Sequence, residues 1–260
     1  MGKIVSIHSF RGGTGKSNTT ANISSLLAMK GKRVAMVDTD IQSPGIHVLF
    51  GLDEKKMGHT LNEFLHGQVT IEEVAFNVGD HVTDDPPGRA HLKGKHLWLV
   101  PSSINSGEIS KILREGYSVD VLNKGLQTLR KKLELDYLFI DTHPGLNDET
   151  LLSVAISDTL IIILRPDQQD FQGTAVTVDI ARSLDVPNLV LVVNKALSKY
   201  DFKQMKEQIE ATYSAPVAGI LPLSEDMVDN QSSDIFSLRY PDHVWSKAMQ
   251  GITENILALG

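Results

Sequence analysis

The stretch IVSIHSFRGGTGKS, residues 4–17, decides the fold, because a short apolar strand runs directly into a glycine-rich turn. Ile4–Ile7 is rich in β-branched residues, and a helical pattern follows from Ser17 to about Lys30. A glycine-rich turn between a strand and a helix lets backbone N–H groups converge on an anion, and the helix N-terminus adds a partial positive charge. The stretch therefore predicts a phosphate-binding loop.

The residue types in this loop match the chemistry of a nucleoside triphosphate. Lys16 provides a mobile cation for the β- and γ-phosphates, and the Ser17 hydroxyl is a ligand for Mg²⁺. The strict pattern G-x-x-x-x-G-K-[ST] fails at its first position, where Phe10 stands. The alternative is a glycine-rich turn that binds nothing. The residues predicted to bind the phosphates are Gly12, Gly13, Thr14, Gly15, Lys16, Ser17 and Asn18.

Short apolar runs alternate with helical patterns along the rest of the chain. Further strands are predicted at Val34–Val37, Leu97–Val100, Tyr137–Ile140, Leu160–Leu164 and Leu189–Val193, with a seventh before Leu221. Helices are predicted at Ile109–Leu133, Asp148–Ala155, Gly173–Leu184, Ser198–Tyr213 and near His243–Leu259. This alternation predicts an α/β fold with a doubly wound, mostly parallel sheet flanked by helices.

No linker or repeat divides the chain, so residues 1–260 are predicted to form a single domain. The loosest stretch is residues 77–96, which contains Asp85-Pro86-Pro87-Gly88. Two adjacent prolines and a glycine argue against a helix there. We interpret this stretch as a surface-loop insertion, with decoration favoured over a functional role.

Composition excludes several classes of protein. The 260 residues are 41% hydrophobic, which is enough for a sizeable core and excludes a disordered chain. There is no cysteine, which excludes disulfides, thiolate zinc sites and iron–sulfur clusters with cysteine ligands. The net charge of −7 argues against a general polyanion binder. Neither a targeting signal nor a membrane-spanning run is recognised, so we expect a cytoplasmic protein.

Carboxylates follow two of the predicted strands. Asp38 and Asp40 come after the second strand, where an open α/β sheet places its ligand, although acids there also serve as loop formers or helix caps. Asp141 ends the strand Tyr137–Ile140, in the arrangement of an acid that holds Mg²⁺, usually through water. Ser17, Asp38 and Asp141 are therefore the predicted metal residues.

The box Arg11-Gly-Gly-Thr-Gly-Lys-Ser17 resembles the deviant Walker A box of the MinD/ParA ATPases. In that family a signature lysine begins the box and reaches across a nucleotide-sandwich dimer to the partner's phosphates. Arg11 stands at this position and keeps the charge, so a contact in trans remains chemically sensible. Arginine is not an isostere of lysine, so the exchange of lysine for Arg11 puts the geometry of the nucleotide-sandwich dimer in question.

The resemblance extends along most of the chain and implies roles for further residues. Asp40 would orient the attacking water, and Asp38 would support the Mg²⁺ and water network. The Gly145 amide would meet the γ-phosphate, Asn194 would read the adenine edge, and the loop with Pro222 would pack on the base. Relatives usually carry proline where His143 stands. His143 is either a site residue that titrates near neutrality or a tolerated loop residue, and we favour the latter.

The function implied by the resemblance is an ATP- and Mg²⁺-dependent positioning or partitioning ATPase. It would form a homodimer with ATP, hydrolyse slowly under stimulation by an adaptor protein, and distribute a plasmid, a chromosome or a protein assembly. The catalytic residues would be Lys16, Arg11, Asp38 and Asp40. The alternative is a metabolic enzyme of the dethiobiotin synthetase type, which uses ATP to activate a small substrate.

The sequence gives weaker signals for the cellular surface that such an ATPase would bind. The last segment has one lysine and one glutamate between Val244 and Leu259, so we expect it to pack on the domain and predict no C-terminal membrane anchor. Nonspecific DNA is a possible partner, in which case the protein would associate with the nucleoid. Its candidate contacts are Lys195, Lys199, Lys203 and Lys206, with a second cluster at Arg130, Lys131 and Lys132, although such lysines are more often a solvated face.

Overall fold

A computed structural model describes residues 2–259, and an eight-stranded sheet forms the centre of this part of the chain. The strands are β1 (Lys3–His8), β2 (Val34–Asp38), β3 (Phe76–Asn77), β4 (Leu97–Val100), β5 (Tyr137–Asp141), β6 (Thr159–Leu164), β7 (Asn188–Ala196) and β8 (Val217–Pro222). Their order across the sheet is β3-β4-β2-β5-β1-β6-β7-β8, and only β3 runs antiparallel to its neighbour. β1 therefore lies centrally, where ligands of open α/β sheets bind beyond the strand ends.

The helices lie on both faces of this sheet. They are α1 (Lys16–Met29), α2 (Ile46–Leu49), α3 (Leu61–Leu65), α4 (Ile71–Val74), α5 (Val78–His81), α6 (Pro87–Ala90), α7 (Ser106–Glu115), α8 (Val119–Lys132), α9 (Asp148–Ala155), α10 (Gln168–Ser183), α11 (Phe202–Tyr213), α12 (Glu225–Asp229), α13 (Phe236–Arg239) and α14 (Val244–Ala258). The predicted doubly wound α/β fold is confirmed.

The core is built on two faces because successive strand residues point to opposite sides of the sheet. Val5 and Ile7 of β1 pack on one face with residues of α1 and α14. Ile4 packs on the other face with residues of α8. Both faces of the central strands are covered, which explains why these strands are almost continuously apolar.

The predicted helix Ile109–Leu133 is wrong, because two helices occupy this stretch. α7 ends at Glu115, and Gly116 has a φ of 68°, outside the helical region. Ser118 then occupies the N-cap position of α8. Glycine tolerates this backbone without steric cost, and serine favours a helix start, so a break was readable in the sequence.

Residues 77–96 also contain a helix where the sequence argued against one. Pro87 is the first residue of α6, a position where its missing N–H costs no hydrogen bond. The next two amides, of Gly88 and Arg89, donate to the carboxylate of Asp234 at 2.8 Å each. This distant acid supplies the cap. The stretch is only partly at the surface, because Val78 and Leu92 are buried in the core.

Two helix starts differ from the predicted ones because an aspartate caps each. α10 begins at Gln168 rather than Gly173 and α11 at Phe202 rather than Ser198, since the carboxylates of Asp167 and Asp201 accept the first amides. The apolar face of α14 packs on the domain as expected, with Trp245, Met249 and Ile252 buried. Among residues 2–259 no helix is both long enough and apolar enough to cross a membrane.

Candidate functional site

The loop between β1 and α1 has the backbone of an anion-binding turn. Gly15 is the N-cap of α1 with a φ of 99°, a left-handed conformation that residues with a Cβ rarely adopt. A Cβ at this position would also collide with the Asn194 amide nitrogen. Glycine is therefore required twice over, by backbone angle and by the close approach of β7.

The N-terminus of α1 has no cap of its own. Among the residues described, no side chain bonds to its first amides, and its first turn contains no acid. By contrast, side chains of Asn105, Asp167 and Asp201 cap α7, α10 and α11. The free amides and the helix dipole of α1 therefore remain available to an anion.

Lys16 lies in this loop as a buried cation. Lys16 is only 7% exposed, and no carboxylate among residues 2–259 forms an ion pair with it. A buried charge without a partner is costly, and a phosphate would supply the missing partner. The role of Lys16 as a cation for the phosphates stays a prediction.

Asp38 and Asp141 face each other across neighbouring strands. β5 lies between β1 and β2, and the register of β2 and β5 aligns these two residues. Both are almost fully buried, at 1% and 0% exposure. Burial, with the nearby Asp141 charge, raises the pKa of Asp38 to about 8, and burial raises the pKa of Asp141 to about 6. A cation bound here would favour the ionised forms of both.

Asp141 and Ser17 form the pair expected to hold Mg²⁺. The Ser17 hydroxyl donates to Asp141 Oδ2 at 2.6 Å, so both oxygen ligands already converge. Hard oxygen donors are those that Mg²⁺ prefers, and it commonly takes one or two protein ligands together with waters and phosphate oxygens. No set of three His, Asp or Glu side chains arranged to hold a metal occurs within residues 2–259.

Asp38 has a structural task that the sequence did not reveal. Its Oδ2 accepts the amides of Gly45 and Ile46 at 3.0 and 3.3 Å, and its Oδ1 accepts the Asp40 amide at 3.1 Å. The carboxylate therefore anchors the loop that follows β2. The prediction that Asp38 supports the metal network stays a prediction.

Asp40 and His143 meet at the mouth of the phosphate cleft. The His143 Nδ1 lies 2.7 Å from Asp40 Oδ1, although the two residues are 103 positions apart. Both line a cavity of about 370 Å³, whose lining also includes Gly12, Lys16 and Ser17. The interpretation of His143 as a tolerated loop residue missed this contact.

His8, at the end of β1, was also missed. Its Nδ1 lies 2.8 Å from the Thr142 hydroxyl, which itself donates to the Ile7 carbonyl at 3.0 Å. Nδ1–H is therefore the donor, and it ties β1 to the loop after β5. Burial lowers the pKa of His8 to about 3, with Lys16 and His143 contributing, so this imidazole is neutral.

A second cavity, of about 320 Å³, continues the cleft toward the predicted base site. It shares Gly13, Gly15 and Asn18 with the phosphate cavity, and its other walls include Asn194 and Pro222. Thr14 is a buried residue of the phosphate loop, and its carbonyl accepts a hydrogen bond from the side-chain amide of Asn194 at 2.8 Å. Asn194 thus holds the loop, and its reading of an adenine edge stays a prediction.

Two predicted residues lie beside the cleft and do not line it. The Gly145 amide is 3.3 Å from the Ser9 carbonyl in this structure, and the γ-phosphate contact remains a prediction. The Arg11 guanidinium lies near α10, 3.7 Å from Asp170 and 3.9 Å from Asp167, with its side chain 41% exposed. Arg11 therefore does not face the phosphate cavity of its own chain.

The site fits a magnesium nucleotide by its own chemistry. The phosphate end offers an uncapped helix N-terminus, an unpaired buried lysine and a carboxylate–hydroxyl pair. The adjoining cavity has apolar walls from Leu223, Val228 and Trp245, next to polar groups at the strand end. A nucleotide needs this combination, with charge at one end and an apolar surface at the other.

Comparison with known proteins agrees with this geometry. The model of the AAA domain family matches residues 2–186, which is more than half of the chain. An uncharacterised ATP-binding protein of Methanocaldococcus jannaschii is 25% identical over 260 residues, 99% of this chain and 88% of that protein. The septum site-determining protein MinD of Synechocystis is 25% identical over 234 residues, 88% of this chain and 79% of that protein.

Solved structures share the fold over the whole chain. MinD of Pyrococcus horikoshii, complexed with Mg-ADP, has a TM-score of 0.78 at 20% identity, covering 99% of this chain and 98% of its own. A plasmid partition protein of Borrelia burgdorferi bound to AMPPNP has a TM-score of 0.77 at 22% identity, covering 99% of each chain. The chain therefore belongs to the AAA domain family, and its fold is that of the MinD/ParA P-loop NTPases.

Proposed function

We propose that this chain is a positioning or partitioning ATPase, in which ATP closes a homodimer and hydrolysis reopens it. The observation that carries the proposal is the phosphate end of the cleft, where the buried Lys16 forms no ion pair within residues 2–259 and no side chain caps α1. Relatives named for septum-site determination and plasmid partition support the cellular role. A stimulating adaptor protein and slow basal turnover belong to the same proposal.

The chain's own residues would contribute positioning and charge. The loop amides and Lys16 would hold the phosphates of ATP, while Ser17 and Asp141 would hold Mg²⁺, which supplies charge neutralisation when bound. Asp40 would orient a water for attack from the mouth of the cleft. Little covalent chemistry is asked of the protein, so the geometry of these groups determines the rate.

The position of Arg11 supports a role across a dimer. Its guanidinium lies beside α10 and is not among the groups that line its own phosphate cavity, and its partner Asp170 is already bound more closely by Arg165, at 2.9 Å. An ion pair at 3.7 Å on a partly exposed side chain is weak. Arg11 is therefore free to leave it for the phosphates of a second chain, where a charge-assisted contact would be stronger.

Nonspecific DNA is one candidate for the surface that the dimer binds. Lys199 and Lys203 are exposed near the start of α11, and a dimer would present each of them twice. In the second cluster, Arg130 is mostly buried and its Nη1 donates to the Gly2 carbonyl at 3.0 Å. Arg130 is therefore the weaker candidate.

The proposal is tested by the molar mass of Asp40→Ala protein, measured by light scattering without nucleotide, with ADP–Mg²⁺ and with ATP–Mg²⁺. We expect the mass to double only with ATP, because binding is retained while hydrolysis is lost. As the matched control, Arg11→Ala in the same background should bind ATP and remain monomeric. A monomer in all three conditions, with ATP bound, would contradict the dimer and favour the small-substrate enzyme instead.

A further inference from the structure

We propose that His143 is a positioning residue for hydrolysis, which holds the carboxylate of Asp40 so that one oxygen stays free for water. The inference rests on the proposed function, in which Asp40 orients the attacking water. It concerns a contact between two loops, and it needs only the neutral hydrogen-bonding ability of the imidazole ring.

The contact follows from the register of two neighbouring strands. Asp38 of β2 and Asp141 of β5 are aligned partners, and Asp40 and His143 each stand two residues farther along. The two loops thus leave the sheet side by side. The 2.7 Å contact between His143 Nδ1 and Asp40 Oδ1 joins the two loops two residues beyond the aligned pair.

The direction of this hydrogen bond is set by chemistry. An ionised carboxylate can only accept, so the Nδ1–H of His143 donates to Asp40 Oδ1. The Ser43 amide donates to the same oxygen at 3.2 Å. No donor within residues 2–259 bonds to Asp40 Oδ2, so both protein contacts hold one oxygen and leave the other available.

Asp40 needs such a restraint because of its neighbours. The buried carboxylates of Asp38 and Asp141 lie close enough that the charge of Asp40 acts on both. Repulsion by the ionised Asp141 would favour movement of a free Asp40 side chain toward solvent, whereas the side chain is only 14% exposed in the structure. The hydrogen bond from His143 opposes that displacement.

His143 is itself held in place. Its carbonyl accepts the hydroxyl of Thr150 in α9 at 3.3 Å, and Pro144 restricts its backbone to extended conformations. Its side chain is 24% exposed, so it is not part of the core. The loop after β5 therefore holds the imidazole in a fixed position. Because the ring is not part of the core, its substitution should leave the fold intact.

Steady-state kinetics test the inference. In His143→Ala we expect kcat to fall about 10- to 100-fold while KM for ATP stays within about twofold, because a misplaced water-orienting group affects only the chemical step. His143→Asn places an amide N–H near the position of Nδ1 and should recover most of the rate. His143→Gln is the matched control, since its amide lies farther out and should not recover it.

A measurement without nucleotide provides an independent readout. In ¹⁵N spectra of the histidine side chains at pH 8.5, His143 should carry its proton on Nδ1 in the wild type. The proton should move to Nε2 in Asp40→Ala. A wild-type His143 with an unprotonated Nδ1 would overturn the inference, since no hydrogen bond could then run to the carboxylate.

The two proposals fail in different ways. If Asp40→Ala hydrolyses ATP at the wild-type rate, the water-orienting role of Asp40 in the proposed function is wrong. If Asp40→Ala is slow but His143→Ala matches the wild type, the role of His143 is wrong and that of Asp40 stands. Equal rates for His143→Asn and His143→Ala would also overturn the positioning role.

Discussion

The two ends of the cleft differ in whether their polar groups already have partners within the protein. At the phosphate end, Lys16 forms no ion pair with any residue of the described range 2–259, no side chain caps α1, and burial raises the pKa values of Asp38 and Asp141. At the base end, polar groups are already bonded: Asn194 donates to the Thr14 carbonyl, and Lys195 donates to that of Gly13, both at 2.8 Å. The phosphate end therefore contains a buried cation without an ion-pair partner in that range, whereas these polar groups of the base end already form hydrogen bonds.

This difference indicates which groups should contribute most to the free energy of nucleotide binding. Groups that are buried without partners cost free energy until a ligand pairs with them, so the phosphate end gains most from binding. Groups that are already paired gain little and mainly provide shape. Substitutions at the phosphate end should therefore have the larger effects on affinity and stability.

Lys16→Ala is expected to show the largest effect. It removes the cation that has no protein partner, so the affinity for ATP–Mg²⁺ should fall by at least about 100-fold. Isothermal titration calorimetry measures the loss. Lys195→Ala is the matched control at the satisfied end, where an exposed lysine donates to the loop, and its affinity should change less than about fivefold. Equal losses in the two variants would remove the contrast between the ends.

The sequence predicted much of the phosphate end from local residue types. The positive φ at position 15 requires glycine, and the two predicted metal residues Ser17 and Asp141 lie in hydrogen-bond contact. The binding roles of Lys16, Ser17 and Asp141 stay predictions. The same reasoning works for the strands of the sheet, because burial on both faces leaves an apolar signature.

Long-range contacts account for what the sequence could not predict. The cap of α6 comes from Asp234, 146 residues from Gly88, and the partner of Asp40 is His143, 103 residues away. Both depend on which elements become neighbours in space, which local patterns do not encode. The break between α7 and α8 differs, since Gly116 and Ser118 were a local signal that helical periodicity outweighed.

Asp141→Asn should stabilise the nucleotide-free protein. The neighbours of this carboxylate are the hydroxyls of Ser17 and Thr20, which can rotate to accept from an amide, so the substitution keeps hydrogen bonds while removing a buried charge. At pH 8 in EDTA we expect a gain of about 2 kcal/mol, or about 4–8 °C in Tm. Differential scanning calorimetry measures it.

The gain should depend on pH in a defined direction. The folded chain binds the Asp141 proton more tightly than the unfolded chain, since burial raises the pKa to about 6 from an ordinary 3.8. Wild-type stability is therefore lost as the pH rises through about 4 to 6, and the advantage of Asp141→Asn should grow over that interval and level off above it. An advantage that is constant with pH would contradict the buried charge as its cause.

Asp38→Asn is the matched control for this variant. Within residues 2–259, the hydrogen-bond donors to its side chain are the backbone N–H groups of Asp40, Gly45 and Ile46, and an amide would turn its own N–H₂ toward some of them. Removing the charge should therefore bring no comparable gain in Tm, even though the pKa of Asp38 is raised further. The pair of variants separates the charge of the phosphate end from its hydrogen bonds.

Asn194→Ala should have a smaller effect on affinity than Lys16→Ala and should test whether the base end provides shape alone. The side chain donates to the Thr14 carbonyl and accepts the Lys195 amide, so its loss should cost about 1–2 kcal/mol of stability and loosen the phosphate loop. Because both polar atoms are engaged, we expect the affinities for ATP and GTP to fall by a similar factor, about 3- to 10-fold, when measured by competition against a fluorescent ADP analogue. A fall for ATP alone would mean that Asn194 leaves the loop to form hydrogen bonds with the adenine edge. The base end, like the phosphate end, would then contain polar groups whose partners come from the ligand.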